Sequence, residues 1–397
     1  MTDFRATKAL FHLPDGVTYL DGNSLGPLPK AAVARIQQSV TDEWGEMLII
    51  GWNKAGWMAQ PTQLGNRIGR LVGAEAGHVT VGDTLSIKVY QALAAALDLV
   101  PERKVILTDS GNFPSDIYMA EGLIKSLDRG LVLKVVAPEK VADHIDSDLG
   151  ILMLTQCDYR TGRMHDMAAL TQKAHEVGAV TIWDLAHSAG AFPVDLAECQ
   201  ADFAVGCTYK YLNGGPGAPA FIYVAPRHIG TCQPALSGWL GHAAPFAFDL
   251  DYRPGTGIER MRVGTPPVIQ MAALDAALGI WDTVDMVALR ATSVRLTERF
   301  IAGVEAACPS FTLASPRDPS VRGSQVSFRH PEGYAIMQAC IADGVIGDFR
   351  APDVLRFGFT PLYIDDTDVD RAVAVLERIM RDDLWRNPAY QTRNAVT

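Results

Sequence analysis

The chain has no Cys-x-x-Cys pair. Its six cysteines, at 157, 199, 207, 232, 308 and 340, are scattered, and its nine histidines lack metal-ligand spacing. That pattern excludes a zinc module and a disulfide framework, and no metal is expected. Each thiol reads as a reduced, buried hydrophobe. No run of Lys or Arg occurs, and 45 acidic against 35 basic residues give a formal net charge of −10. Nucleic acid and an anionic membrane are therefore not expected as partners. No apolar stretch approaches the length of a bilayer span, and the first residues, Met1-Thr-Asp-Phe-Arg5, lack the basic and apolar regions of a signal peptide. Cytoplasmic residence is the expectation. Internal repeats and low-complexity tracts are missing too.

What is present is a chain of 397 residues, 48% hydrophobic and 20% charged, long enough for two domains or one large α/β body with an appendage. Two short apolar runs stand out. Ala179 to Trp183 stops at Asp184, and Phe203 to Cys207 stops just before Tyr209 and Lys210, which lies 26 residues beyond Asp184. Each run reads as a buried parallel strand. Residues beyond the carboxyl ends of such strands line the ligand crevice, so a carboxylate and an amine would enter one pocket. Pyridoxal 5′-phosphate needs both, an amine for its aldehyde and an anion facing its ring nitrogen. An Asp at a strand end and a solvated Lys beside a Gly-rich turn are also commonplace, so the pair alone leaves both readings open.

Other stretches bear on the same pocket. Asp21-Gly-Asn-Ser-Leu-Gly26 is a polar turn ahead of a helix expected over 31–44, and it reads equally as a connection or as a presenter of Ser24. Trp52, between Gly51 and Asn53, falls in what reads as an irregular segment near a binding site. Gly82-Asp-Thr-Leu-Ser86 joins a strand near 78–81 to a helix ending near Leu99, and such a turn can either cap the helix or hold an anion through Thr84, Leu85 and Ser86. Phe113, at another strand-to-helix turn, could stack on a flat ring. Strand and helix are expected to alternate from about 70 to 225, which predicts an α/β fold with a mostly parallel sheet covered by helices on both faces. A smaller α+β domain should follow. The expected division is an N-terminal segment, 1–55, joining the small domain; a large cofactor-binding domain, 56–270; and a small C-terminal domain, 271–397.

Six motifs carry a resemblance. Asp21-Gly-Asn-Ser-Leu-Gly26, Phe113-Pro-Ser-Asp116, Trp183-Asp-Leu-Ala-His-Ser-Ala-Gly190, Cys207-Thr-Tyr-Lys-Tyr-Leu-Asn-Gly-Gly-Pro-Gly217, Gly238-Trp-Leu-Gly-His242 and Arg356-Phe-Gly-Phe-Thr-Pro-Leu-Tyr363 together resemble the kynureninase family, nearly end to end. The family belongs to the class V aminotransferase group with the type I pyridoxal-phosphate fold. The resemblance implies hydrolysis of L-kynurenine to anthranilate and L-alanine in tryptophan catabolism, by a homodimer with active sites at the subunit interface. It implies that Lys210 holds the cofactor aldehyde and Asp184 faces the pyridine nitrogen. Phe113 would stack on the ring, with Pro114, Ser115 and Asp116 beside it, Asp116 joining Lys210, Asp184 and Tyr209 in the catalytic set. Thr84, Leu85 and Tyr209 would reach the phosphate, Thr155 and His187 would neighbour the cofactor, and Trp239 and Thr265 would come from the second subunit. Arg356 would clamp the substrate carboxylate, a task suited to a bidentate guanidinium, while Ser24, Trp52 and Thr265 shape the aryl pocket.

Three departures accompany the likeness: Lys88 stands where relatives often carry Asn, Gln156 where His is usual, and the N-terminus is short. Trp52 with Gly264 and Thr265 resembles bacterial members, which prefer kynurenine to its 3-hydroxy derivative. The rival readings are another class V enzyme, an aminotransferase or a cysteine desulfurase, and a non-catalytic pyridoxal-phosphate binder. A desulfurase needs a mobile nucleophilic Cys, and Cys340 sits in a helical apolar pattern that reads as core.

Overall fold

The computed structural model describes residues 2–392. Its centre is a seven-stranded sheet of β1 (Val79–Val81), β2 (Val105–Asp109), β3 (Val132–Val136), β4 (Leu149–Thr155), β5 (Val180–Asp184), β6 (Phe203–Gly206) and β7 (Phe221–Val224), in the order β1-β7-β6-β5-β4-β2-β3. From β6 across to β3 every pairing is parallel. All seven residues of β4 and all five of β5 are buried, without the alternation of a half-exposed strand. That is the consequence of helices on both faces. One of them, Leu85–Leu99, lays Val89, Ala92, Leu93, Ala95 and Ala96 into the core, the small alanines letting it pack close to the sheet.

The expected alternation is less regular than the sequence suggested. Residues 185–202 and 207–220 carry no helix, because they form the irregular loops bearing His187, Tyr209 and Lys210. Without a helical crossover the chain turns straight back after β6, and β7 runs antiparallel to both of its neighbours. The helix expected over 31–44 is α-helical only over Lys30–Gln38 and widens into a π-helix over Ser39–Glu46. The wider turn accompanies a buried Glu43, which pairs with Arg35 at 2.9 Å and accepts from Trp57 Nε1 at 3.0 Å. Trp52 lies on one turn of helix, Gly51–Lys54, rather than in an irregular segment.

A second, antiparallel sheet follows the order Thr312–Leu313, Gln325–Arg329, Val354–Gly358, Asp348–Arg350. Helices Met286–Ala307 and Gly333–Ala342 pack on it, and Asp366–Arg381 packs against those two helices. Phe300 forms the centre of that layer, its ring 6.2, 4.9 and 5.0 Å from those of Phe328, Phe357 and Phe359. The N-terminal residues touch this body: Thr18–Tyr19 pairs in parallel with Val345–Ile346, and Thr7 Oγ1 donates to Leu362 O at 2.9 Å. Among the described residues no helix is long and apolar enough to cross a membrane.

Candidate active site

The carboxyl edge of the parallel strands gathers the chemistry. Thr155 and Asp184 end β4 and β5 and are register partners, so their side chains sit side by side. Asp184 is buried, its Oδ1 accepting from Ala186 N at 2.8 Å and its carboxylate also bonded by Thr155. Burial pushes its pKa up to about 6, with Lys210 acting in the opposite direction. Lys210, on the loop after β6, places Nζ 2.9 Å from His187 Nε2 and 5.9 Å from the ring centroids of both Phe113 and Tyr209. Burial, then Lys210, Arg356 and Arg350, hold His187 well below the usual imidazole range. A neutral His187 whose Nε2 accepts from Lys210 carries its proton on Nδ1, which has no partner among the described residues.

Phe113 projects from the N-terminus of helix Pro114–Leu127, 41% exposed. Its turn is built by Asn112, whose Oδ1 accepts from Phe113 N at 2.7 Å while Nδ2 donates to Thr108 Oγ1 at 3.0 Å. Asp116 on the same turn is buried, and burial together with the Asp184 charge raises its carboxyl well above the usual range, Lys210 opposing. Its Oδ2 has no partner among the described residues. Ser115 Oγ meets Ser86 Oγ at 2.9 Å, tying this turn to the N-terminus of helix Leu85–Leu99, which Thr84 caps. Tyr209 is raised by Cys207 and by burial, so its phenol stays protonated. Gly26 N donates to Tyr209 O at 2.8 Å, docking the N-terminal turn on the lysine loop.

Arg356 is almost wholly buried at 1% exposure. Its guanidinium fork is already engaged: Nε donates to Asp348 Oδ1 at 2.5 Å, Nη2 to Asp348 Oδ2 and to Ser24 Oγ at 3.0 Å, and Nη1 to Tyr159 O. The expected bidentate face therefore meets Asp348 instead of an open pocket, and of the five N–H groups of an arginine one on Nη1 is left. Ser24 completes the arrangement by donating to Asp348 Oδ2 at 2.7 Å. Arg350 also reaches Asp348, at 2.8 Å. Burial works to raise Asp348, but Arg356, Ser24 and Arg350 hold it below the usual carboxylate range. Asp21 next to it is pushed up to about 7 by burial and by Asp348. Tyr159 links the two halves, its ring edge-on to Phe113 at 5.1 Å.

Three expected residues stand apart from this group within one chain. Trp239 is 39% exposed and edge-on to Phe246 at 5.6 Å, Thr265 is exposed, and Trp52 lies against Trp57 at 6.1 Å. Asp348, Arg350, Tyr159 and Asp21 are site residues that the sequence reading did not single out. Asp348-Phe-Arg350 and Val354–Gly358 form a hairpin that places Asp348 opposite Arg356, a pairing that no motif in the sequence marks. A buried acid, an amine, an exposed aromatic face and a capped helix N-terminus, with Asp116 Oδ2 and His187 Nδ1 unpartnered beside them, fit pyridoxal phosphate.

Solved structures share the fold. A cysteine desulfurase from Thermococcus onnurineus NA1 superposes with a TM-score of 0.81 at 17% identity, covering 96% of this chain and 99% of its own. The cysteine desulfurase CsdA of Escherichia coli gives 0.79 at 19%, covering 96% and 99%. A C-DES variant with glycine covalently linked to its PLP cofactor gives 0.79 at 18%, covering 95% and 99%. Architecture thus places the chain in the type I pyridoxal-phosphate fold class. Sequence narrows this: residues 289–376 match the kynureninase C-terminal domain model. The kynureninases of Pseudomonas fluorescens and Burkholderia pseudomallei (strain 1106a) are each 50% identical to it over 394 residues, 98% of this chain and 95% of theirs. The chain belongs to the kynureninase family.

Proposed function

We propose that this chain is a cytoplasmic hydrolase that cleaves L-kynurenine with water into anthranilate and L-alanine, using pyridoxal 5′-phosphate held by Lys210. The observation that carries the reading is the meeting of Lys210, Asp184 and Phe113 at one strand edge, in a chain half identical over nearly its full length to kynureninases. When bound, the cofactor supplies an aldehyde that condenses with amines and a ring that withdraws electrons from the substrate Cα.

The side chains divide the remaining work. Asp184 would face the ring nitrogen and hold a proton there, and that cation would offset the burial that raises the Asp184 pKa. Phe113 would cover the ring, with Pro114 and Ser115 on its turn. The N-terminus of Leu85–Leu99, through Thr84 and Leu85, would take the phosphate with Tyr209. Lys210 removes the α-proton of the substrate and returns protons to the alanine fragment. His187, neutral and 2.9 Å away, accepts from the lysine amine and steadies it without competing for positive charge. Arg356, fixed by Asp348, offers its remaining Nη1 N–H to the substrate carboxylate.

The exposure of Trp239 and Thr265 supports a homodimer in which each enters the partner's site. An apolar hollow of about 620 Å³ beside Leu25, Leu28, Ile36 and Ile269 supports the same assembly. It includes none of the catalytic set. The desulfurase reading is disfavoured because Cys340 is fully buried, and burial raises its thiol far above the usual range. The test is purified protein, pyridoxal phosphate and L-kynurenine, with anthranilate followed by fluorescence and 2-oxoacid dependence followed in parallel. Anthranilate released without any 2-oxoacid is expected; amino transfer without anthranilate would refute the reading.

A further inference from the structure

Lys88 lies one turn into helix Leu85–Leu99, 1% exposed. Its ammonium has three N–H groups and three acceptors, Asp83 Oδ2 at 3.1 Å, Gln91 Oε1 at 2.9 Å and Met261 O at 3.2 Å. Gln91 Nε2 donates to the same Met261 carbonyl at 3.1 Å. Burial lowers the Lys88 pKa while Asp83 works to raise it, so the charge at this position depends on that carboxylate, and the three contacts lie in one small region.

Asp83 is a liability where it stands. It precedes Thr84, so its carboxylate borders the helix N-terminus that suits an anion, and an unneutralised acid there would repel a phosphate. The turn itself is unusual, with Asp83 at φ 55° and Gly82 at φ 159°, and it is bonded to the residue ahead of β7 through Gly82 N to Ala220 O at 2.9 Å and Ala220 N to Asp83 O at 3.0 Å. Among the described residues Lys88 is the cation that reaches Asp83. Met261, its third acceptor, heads the segment running through Arg262 and Val263 to Thr265. Leu240 N donates to Val263 O at 3.2 Å, so the Trp239 turn rides on that segment as well.

We propose that Lys88 is a positioning residue for the cofactor phosphate: it neutralises the Asp83 carboxylate beside the anion site and pins the Gly82–Thr84 turn to the Met261–Thr265 segment. This rests on the cofactor reading above, in which that turn takes the phosphate. An Asn in the same place would offer a shorter, uncharged donor and could not offset the Asp83 charge.

The test compares two probes that differ only in the phosphate. Cofactor-free full-length protein is titrated with pyridoxal 5′-phosphate and with pyridoxal, binding being read from the absorbance of the lysine-bound aldehyde. Lys88→Met is expected to weaken binding of the phosphate ester by about tenfold or more while changing pyridoxal by less than about threefold. Adding Asp83→Asn to Lys88→Met should restore most of the lost preference. Should Lys88→Met fail to fold, Lys88→Gln, which keeps amide donors without charge, gives the same comparison alone and with Asp83→Asn. Equal weakening of both probes, an unchanged preference, or no recovery on adding Asp83→Asn would overturn the proposal. A wild-type protein that captures neither probe would overturn the cofactor reading itself, a result distinct from any of these.

Discussion

At the scale of single residues the site is strained by burial, and that strain is testable. Asp184, pushed up to about 6 by burial, holds a proton in the folded chain at pH values where the unfolded chain has lost it. Its contribution to stability therefore falls as pH rises from about 4 to about 6 and stays unfavourable above that. Asp184→Asn keeps an oxygen for Ala186 N. The cofactor-free variant is expected to melt a few degrees above wild type at pH 8, the difference vanishing near pH 4, while its loaded form loses about a thousandfold or more in kcat. Thermal melts across pH and steady-state rates check both halves. Arg356→Lys, which cannot reproduce the fork on Asp348, should raise the KM for kynurenine about tenfold with a smaller effect on kcat; an unchanged KM would remove Arg356 from substrate binding. Asp184 and Lys210 were legible as residues because each closes an apolar run. Asp348 was not, because its importance lies in a pairing across two strands of the small sheet.

Elements place these residues, and one close approach governs how. The N-terminal turn reaches the lysine loop only because position 26 has no side chain: a Cβ there would lie 2.4 Å from Lys210 O and 2.7 Å from Asn213 Cα. Gly26→Ala should lift the turn that carries Ser24, costing about 1–3 kcal/mol of stability and lowering kcat/KM for kynurenine. Chemical denaturation and kinetics on the same preparation measure the two effects, and wild-type values for both would show that the turn does not need contact with the lysine loop. Most elements were readable from periodicity and punctuation. Met167–Glu176 begins after a capping Asp166 and stops before Gly178, and Asp366–Arg381 opens on a capping box at Asp365. The reversal of β7 and the π-helical turn at Ser39–Glu46 were not readable, since one depends on where a long loop lands and the other on a buried Glu43 finding Arg35 and Trp57.

For the whole molecule, the proposed homodimer would complete each site with residues of two chains. Lys210→Ala and Trp239→Ala subunits, each inactive or impaired alone, should regain activity when unfolded together and refolded as a mixture. Half of the random dimers would then hold one intact site, giving about a quarter of wild-type activity. No recovery above the sum of the separate variants would mean that Trp239 serves its own chain. The fold was visible in the order of strands and helices, but the seating of Trp239 was not. That residue and Thr265 stand on the surface of one chain, and only the resemblance gave them a place.

The central claim is that Lys210 carries the cofactor opposite Asp184. Borohydride reduction of the loaded protein, followed by proteolysis and mass mapping, tests it most directly. The account predicts one reduced pyridoxyl group per chain, on the peptide containing Lys210, and none in Lys210→Ala. A pyridoxyl group fixed to any other lysine, or none fixed in the wild-type protein, would contradict it.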